Sequence, residues 1–207
     1  MLDEHLYSLS VNGRILTSVL MLKGAETAYA YGYLKTEGIL QPEEIESVMV
    51  DDPDISVLTR DTRQVLLPKK TVVSGCGGTA SYLDAAKLPA LDHPVNPADA
   101  SLKGFSFPPG VISEGGFSAA VLTGTARFPA DDTGLSQAAD KAIGASLMKK
   151  ADLSSAILVI SSKTSADIVR KALFAGIPAV VSKYPATTLA KSTADAGHLT
   201  VICEPSL

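Results

Sequence analysis

The residue of this 207-residue chain best suited to covalent chemistry is a cysteine set among glycines. Cys76 lies in the run Ser74-Gly75-Cys76-Gly77-Gly78-Thr79. Glycine neighbours leave a thiol uncovered and let the backbone move, which suits a nucleophile or a sulfur carrier. The alternative is a small buried residue in a glycine turn. Thr79 stands where a redox dithiol would have its second cysteine, and no Lys-Ser or Lys-Thr follows to make a Walker-type phosphate loop.

Carboxylates near one predicted helix start form a second candidate group. Asp131 and Asp132 precede a helix expected from Ser136, and Asp140 and Lys141 lie one to two turns further along it. Paired carboxylates can hold a ligand or act as acid and base. Acids in a first turn also complement the helix dipole, and we favour that capping role for the first pair. Asp140 and Lys141 are expected either as a solvated pair or facing a cleft.

Two hydroxyl-rich segments follow predicted buried strands. The first spans residues 161–165 (Ser-Ser-Lys-Thr-Ser) and the second residues 182–188, ending in Thr187 and Thr188. Open α/β sheets bind ligands at the carboxyl ends of their strands, and helix N-termini favour anions. Each segment can equally be a set of helix caps, but two at one sheet edge indicate a shared site for an anionic ligand. Cys203, in an apolar run near the end, is expected in the core.

Hydrophobic periodicity predicts the elements that carry these residues. Asn12-Gly13 indicates a hairpin turn between two amino-terminal strands, and a helix to Lys35 follows. The later part alternates strand and helix, which demands parallel strands joined by right-handed crossovers. The predicted strands are 7–11, 14–22, 45–50, 55–59, 64–67, 117–122, 126–128, 156–160, 177–182 and 199–203, and the predicted helices are 23–35, 136–148, 166–175 and 187–196.

Composition excludes several functional classes. The formal net charge is -4, so a broad basic surface for nucleic acid is not expected. Hydrophobic residues make up 46% of the chain, which excludes global disorder, yet no window approaches a membrane span. Three scattered histidines and two cysteines leave little for a zinc site. Without a secretory leader, a reduced cytoplasmic protein is expected.

An ordered series of segments resembles the FdhD family, the accessory sulfurtransferases of formate dehydrogenase. Residues 31–39 are similar to its Gly-Phe-Leu-x-Thr-Glu-Gly-Ile block, and residues 74–78 fall on its Cys-Gly-x-Cys-Gly loop. The other matching segments are 11–14, 115–120, 131–144, 161–178 and 185–190. One short motif would be a weak signal, whereas this ordered series spans nearly the whole chain.

The resemblance implies an α/β fold: a cytidine-deaminase-like three-layer domain with a mostly parallel sheet at residues 101–207, preceded by a β-rich α+β lobe at 1–100. It implies that Cys76 takes sulfur from a cysteine desulfurase and passes it to a molybdenum or tungsten guanine-dinucleotide cofactor of formate dehydrogenase, bound as substrate. A homodimer is also expected, and deaminase zinc chemistry is not. We expect Cys76 to be the catalytic residue. The residues expected to bind the cofactor are Gly75, Gly77, Gly78, Asp132, Gly134, Asp140, Lys141, Ser161, Lys163, Ser165 and Thr187.

Departures from the family pattern leave a second function open. The second loop cysteine is Thr79, a histidine is replaced by Ser118, and Lys163 stands for an arginine. An Arg-His-Asn triplet is replaced by residues 135–137 (Leu-Ser-Gln). Such losses weaken polar and phosphate recognition. The chain is therefore expected to be a diverged sulfur carrier or, alternatively, a cofactor-binding chaperone that has lost sulfur transfer; a purely structural dimeric scaffold is a weaker third possibility.

Overall fold

A computed structural model describes residues 1–61, 87–92, 102, 105–124, 126–205 and 207. The described chain is mixed α/β with two sheets. Its first part contains β1 (Glu4–Val11), β2 (Arg14–Leu22), α1 (Glu26–Thr36), a 3-10 turn (Pro42–Glu44), β3 (Ile45–Asp51) and β4 (Asp54–Thr59). Its second part contains α2 (Pro109–Ser113), β5 (Phe117–Thr123), β6 (Ala126–Asp132), α3 (Leu135–Met148), β7 (Ile157–Lys163), α4 (Ala166–Ala175), β8 (Ala179–Tyr184), α5 (Thr188–Ala196) and β9 (Thr200–Cys203).

The amino-terminal sheet has the order β2-β1-β4-β3. The predicted hairpin is confirmed: β1 and β2 pair antiparallel, and Asn12 and Gly13 both adopt the positive φ that a tight hairpin turn requires. β1 also pairs parallel with β4. Tyr7, Leu9 and Val57 are buried on the face that packs against α1. The other face of this sheet carries exposed side chains.

The second sheet has the order β6-β5-β7-β8-β9. β7, β8 and β9 are parallel, as predicted, whereas β5 pairs antiparallel with both β6 and β7. The sheet is therefore mixed: β6, β7, β8 and β9 run in one direction, in agreement with a mostly parallel sheet, and β5 runs opposite to them. The predicted strand at 64–67 lies outside the described residues, and the cytidine-deaminase likeness stays a prediction.

Helix α1 joins the two sheets because it packs directly on α3. The contact depends on two glycines: a Cβ at Gly32 would stand 1.8 Å from the carbonyl oxygen of Asp140, and a Cβ at Gly144 would stand 1.7 Å from that of Ala28. Only residues without a side chain allow backbones this close. The expected domain boundary between 100 and 101 falls among residues outside the described ranges and stays a prediction.

Candidate functional site

Three helices begin at one edge of the second sheet. β6, β7 and β8 point in the same direction, and each is followed within four residues by a helix: α3, α4 and α5 respectively. The N-termini of these helices therefore meet at the carboxyl edge of the sheet. Unpaired backbone N–H groups and helix dipoles make such an edge favourable for anions.

Hydroxyl side chains cap two of these helices. Ser165 Oγ accepts a hydrogen bond from Ile168 N at 3.4 Å, and Thr187 Oγ1 accepts one from Ala190 N at 3.2 Å. The two loops are tied together, since Thr187 N donates to the carbonyl oxygen of Thr164 at 3.0 Å. The structure thus brings Ser165 and Thr187 to one edge as predicted, with their hydroxyls already used as caps and still half-exposed.

A polar group that the sequence analysis did not find lies at the same edge. Ser118 Oγ donates a hydrogen bond to Asp131 Oδ1, and Ser118 N donates to Ser161 Oγ at 2.9 Å. Ser118 is buried, while Asp131 and Ser161 are half-exposed. The antiparallel β5 places Ser118 between the ends of β6 and β7. The contacts of Ser118 with Asp131 and Ser161 therefore follow from the strand order, which no sequence motif indicates.

Two exposed cations extend from this edge. Lys163 ends β7 and Lys183 lies near the end of β8, and both are exposed. β7 runs on through Ser161 to Lys163, so the first three residues of the hydroxyl-rich segment 161–165 are the polar end of the strand rather than residues that follow it. Ammonium groups beside helix N-termini add to the attraction for a phosphate.

Asp132 and Lys141 form a buried pair away from solvent. Asp132 Oδ2 lies 2.6 Å from Lys141 Nζ, and both side chains are at most 2% exposed. Lys141 Nζ also donates to the carbonyl oxygen of Leu22 at 2.7 Å, which fastens the end of β2 to α3. The cap position of α3 is Gly134, without a side-chain cap bond, so the capping interpretation of Asp131 and Asp132 is wrong. Asp132 and Lys141 therefore have a structural role in holding β2 against α3. Gly134 is buried at the carboxyl edge of the sheet.

Asp140 belongs to a second buried cluster, between α1, α3 and α4. Its carboxylate accepts hydrogen bonds from Lys171 Nζ at 2.9 Å and from Thr36 Oγ1 at 2.7 Å. The expectations of a solvated Asp140–Lys141 pair and of a cleft-facing pair are both wrong, because each residue is buried with other partners. Burial raises the pKa of Asp140 to about 6, although Lys171 opposes the change.

Arg170 completes this cluster. Its guanidinium is fully buried, donates to the carbonyl oxygen of Thr36 at 2.7 Å, and lies 2.5 Å from Glu37 Oε1 and 3.2 Å from Asp167 Oδ1. Asp167 Oδ2 in turn accepts from Ser136 Oγ at 2.6 Å. Burial would raise the pKa of Asp167, but Lys171 and Arg170 outweigh burial and hold it below its ordinary value. The chain of contacts runs from the first turns of α3 and α4 to the end of α1.

Of the two cysteines, Cys203 lies among the described residues and Cys76 does not. Cys76, Gly75, Gly77 and Gly78 lie outside the described residues. Cys203 is exposed, so the expectation that it lies in the core is wrong: β9 is the edge strand of its sheet. Its thiol donates to the carbonyl oxygen of Lys183 at 3.6 Å and lines a groove of about 360 Å³ with Lys191 and Asp195.

Comparison with known proteins settles the family. The model of the FdhD/NarQ family matches residues 2–205. This chain belongs to the FdhD/NarQ family. A protein from Wolinella succinogenes named sulfur carrier protein FdhD is 28% identical over 97% of this chain and 76% of its own length. A protein of the same name from Corynebacterium efficiens is 29% identical over 94% of this chain and 82% of its own length.

A solved structure supports the fold of this FdhD/NarQ member. The crystal structure of a proposed formate dehydrogenase accessory protein from Desulfotalea psychrophila superposes with a TM-score of 0.73, covering 97% of this chain and 82% of the other. The two sequences are 19% identical, so this likeness concerns the fold. Among the described residues of this FdhD/NarQ chain, no helix is long and apolar enough to cross a membrane.

Proposed function

We propose that this FdhD/NarQ protein is a cytoplasmic sulfur carrier for the maturation of formate dehydrogenase. The observation that carries the proposal is the family match over nearly the whole chain, together with relatives named sulfur carrier protein FdhD. Cys76 is the proposed carrier atom, since it is the cysteine that falls on the family's glycine loop. The proposed partners are a cysteine desulfurase as donor, formate dehydrogenase as client, and a second copy of the chain.

The proposed loading step is a thiolate attack. The Cys76 thiolate attacks the outer sulfur of the donor's persulfide, the donor's sulfur–sulfur bond breaks, and the donor leaves as a thiolate. The outer sulfur is then joined to Cys76. On delivery the new sulfur–sulfur bond breaks, Cys76 keeps that bond's electron pair as thiolate, and the acceptor supplies the two electrons that the transferred sulfur atom needs.

The proposed acceptor is a molybdenum or tungsten guanine-dinucleotide cofactor, held as substrate along the carboxyl edge of the second sheet. The meeting of three helix N-termini with Lys163 and Lys183 supports a site for the phosphates of that cofactor. Ser161, Ser165 and Thr187 offer half-exposed hydroxyls beside them. Gly134, at the start of α3, would let a phosphate approach the backbone.

Three of the residues that the resemblance implies for cofactor binding have another role in this proposal. Asp132, Asp140 and Lys141 are buried and paired, so they support the edge from behind rather than contact the cofactor. A cytidine-deaminase-like arrangement of the second part agrees with a nucleotide site at this edge and is part of the proposal. Ser118, where the family has a histidine, offers an Asp131-bound hydroxyl instead of an imidazole.

Intact-protein mass spectrometry tests the carrier role. After incubation with a cysteine desulfurase and cysteine, we expect an addition of about 32 Da, the mass of one sulfur atom. The addition should be lost in Cys76→Ala and kept in Cys203→Ala, the matched control at the chain's other cysteine. A wild-type chain without the addition would reject the carrier role.

A second candidate function is a cofactor-binding chaperone without sulfur transfer. Thr79, in place of the family's second loop cysteine, is the observation that favours it. Calorimetric titration with GDP should then give binding in both wild type and Cys76→Ala, while the mass experiment gives no sulfur adduct. Failure to bind GDP would remove the nucleotide site from both functions.

A further inference from the structure

Four polar side chains form one row across the ends of four adjacent strands of the second sheet. Ser118 on β5 is the register partner of Asp131 on β6, and Ser118 N donates to Ser161 Oγ on β7 at 2.9 Å. Ile160 on β7 and Ser182 on β8 are register partners, and the next residues along these strands are Ser161 and Lys183. The row, in the order of the strands, is Asp131, Ser118, Ser161 and Lys183.

The row carries opposite charges at its two ends. Asp131 and Lys183 are separated by three strand spacings, or about 14 Å at about 4.8 Å each, which is too far for an ion pair. The neighbouring Asp132 is paired with Lys141 at 2.6 Å, whereas no ion pair within the described part of the chain includes Asp131. The row therefore offers an anionic hydrogen-bond acceptor at one end, hydroxyl groups in the middle and a cation at the other end.

Ser118 fixes the orientation of the Asp131 carboxylate. Ser118 is 1% exposed, and its hydroxyl donates a hydrogen bond to Asp131 Oδ1. Asp131 Oδ2 receives no hydrogen bond from the residues that the structure describes, and the side chain is half-exposed. Because each carboxylate oxygen can accept two hydrogen bonds, Oδ1 keeps room for one more donor. Two neighbouring N–H donors can therefore bind Asp131 without displacing Ser118.

The order of groups along the row matches the order of groups in a guanosine nucleotide. Guanine presents two neighbouring donors, N1–H and the 2-amino group, which a carboxylate can accept as a bidentate pair. The ribose and the phosphates follow, and they suit hydroxyl groups and an ammonium group respectively. Adenine presents an unprotonated N1 and no 2-amino group, so a carboxylate would repel it. An extended nucleoside diphosphate is comparable in length to the row.

We propose that Asp131 selects guanine in the nucleotide site and that Ser118 is the positioning residue for its carboxylate. Asp131 Oδ1 accepts a hydrogen bond from guanine N1–H beside the one from Ser118, and Oδ2 accepts one from the 2-amino group. The phosphates lie toward Lys183 and the helix N-termini of the carboxyl edge. This inference rests on the proposed function, because it takes the carboxyl edge as the nucleotide site.

Calorimetric titration of the full chain with GDP, ADP and xanthosine diphosphate tests the selection. The wild type should bind GDP at least about tenfold more tightly than either competitor, as for one bidentate contact with a base. In Asp131→Asn, Ser118 keeps the amide oxygen at the Oδ1 position, which places the amide nitrogen opposite position 2 of the base. That nitrogen matches the 2-carbonyl oxygen of xanthine and opposes the 2-amino group of guanine. The preference should therefore reverse, with xanthosine diphosphate bound at least about tenfold more tightly than GDP.

Two further variants separate base selection from charge and from folding. Asp195→Asn removes an exposed aspartate in the last turn of α5 and should keep the wild-type preference for GDP. Ser118→Ala removes the positioning hydrogen bond, and we expect the Kd for GDP to rise about fivefold with no change for ADP. Damage to the fold would weaken the binding of both nucleotides, so the ratio of the two Kd values identifies positioning.

A pterin ring carries the same pair of donors as guanine, so the titrations include a pterin without phosphates. An excess of 6-hydroxymethylpterin should leave GDP bound to the wild type, because it offers nothing to Lys183 or the helix N-termini. Displacement of GDP by this pterin would assign Asp131 to a pterin ring and overturn the choice of guanine.

The remaining outcomes separate this inference from the proposed function. A wild type that binds none of the three nucleotides removes the nucleotide site and this inference with it. GDP binding without a preference over ADP, or a preference for GDP that Asp131→Asn retains, overturns the inference and leaves the nucleotide site standing. Tighter binding of both GDP and ADP by Asp131→Asn would mean that Asp131 acts only through its charge, and it overturns the inference as well.

Discussion

Gly32 on α1 lies directly against the backbone of Asp140 on α3: a Cβ at position 32 would stand 1.8 Å from the carbonyl oxygen of Asp140. The close approach lets α1 pack against both the first sheet and helix α3. One side of α1 covers the first sheet, and the other brings Thr36 and Glu37 to Asp140, Lys171 and Arg170. We infer that this contact fixes the first part of the chain relative to the carboxyl edge of the second sheet.

Gly32→Ala should therefore destabilise the fold. The methyl group would meet backbone atoms that cannot move aside without separating α1 from α3, so we expect a loss of about 3 kcal/mol or more in the free energy of unfolding. Urea denaturation measures the change. The matched control is Gly110→Ala in α2, where a Cβ would meet no atom within 4 Å. Equal stability of the two variants would contradict the close packing of α1 on α3.

Replacement of Arg170 should be costly because it removes a buried cation from two buried carboxylates. Arg170→Met removes the closest cation from Glu37, which keeps Lys171 Nζ at 3.2 Å, and the ion-pair partner of Asp167. We expect a loss of about 3 kcal/mol in the free energy of unfolding. Arg14→Met, at an exposed arginine of the hairpin, is the control. Adding Glu37→Gln to Arg170→Met should recover part of the loss. A double variant no more stable than Arg170→Met would argue against charge burial as the cause.

Asp140 should make a contribution to the stability of the protein that decreases as pH rises from about 4 to 6. The pKa of Asp140 is raised from 3.8 to about 6 in the folded chain, mainly by burial. Between pH 4 and 6, then, the folded state binds more protons than the unfolded state, and the contribution of Asp140 to stability is lost as pH rises. The stability difference between wild type and Asp140→Asn should fall by on the order of 2 kcal/mol across this window and stay level above it.

Urea denaturation at a series of pH values measures that difference. Asp195→Asn, at an exposed aspartate, controls for the loss of one negative charge. A difference between wild type and Asp140→Asn that rises from pH 4 to 6 would mean that Lys171 outweighs burial and that the Asp140 carboxylate is stabilised in its charged form.

Lys163 should contribute to guanine-nucleotide binding at the carboxyl edge. Lys163→Met removes an exposed cation beside the start of α4, and we expect the dissociation constant for GDP to rise about tenfold, as for loss of one charged phosphate contact. Lys149→Met, at an exposed lysine that follows the last turn of α3, is the matched control. Raised salt should weaken wild-type binding more than that of Lys163→Met. Equal affinities of the two variants would place the nucleotide elsewhere.

Elements defined by local signals could be predicted from the sequence. The predicted bounds of α4 agree with the observed ones, because Ser165 caps its start and Gly176 adopts a positive φ at its end. The hairpin at Asn12-Gly13 and the three parallel strands were found for similar local reasons. Ser165 and Thr187 were assigned to one edge because consecutive parallel strands share a carboxyl edge.

Features set by distant contacts could not be predicted. Ser118 meets Asp131 and Ser161 only because an antiparallel strand is inserted between β6 and β7. Cys203 is exposed because β9 is an edge strand, although its run of residues is as apolar as a buried strand. Lys141 on α3 is buried because the end of β2 packs over it, where the carbonyl oxygen of Leu22 accepts its hydrogen bond. No pattern in the sequence around Lys141 indicates that contact.

The most direct test of the sulfur-carrier account follows one sulfur atom from donor to client. The chain is loaded with a desulfurase and ³⁵S-cysteine, freed of donor, and mixed with cofactor and apo formate dehydrogenase, with Cys203→Ala run in parallel. We expect the label to map to the Cys76 peptide after loading and then to pass to the client's cofactor fraction as activity appears. Label confined to Cys203, or held on Cys76 while the client gains activity equally without this protein, would contradict the account.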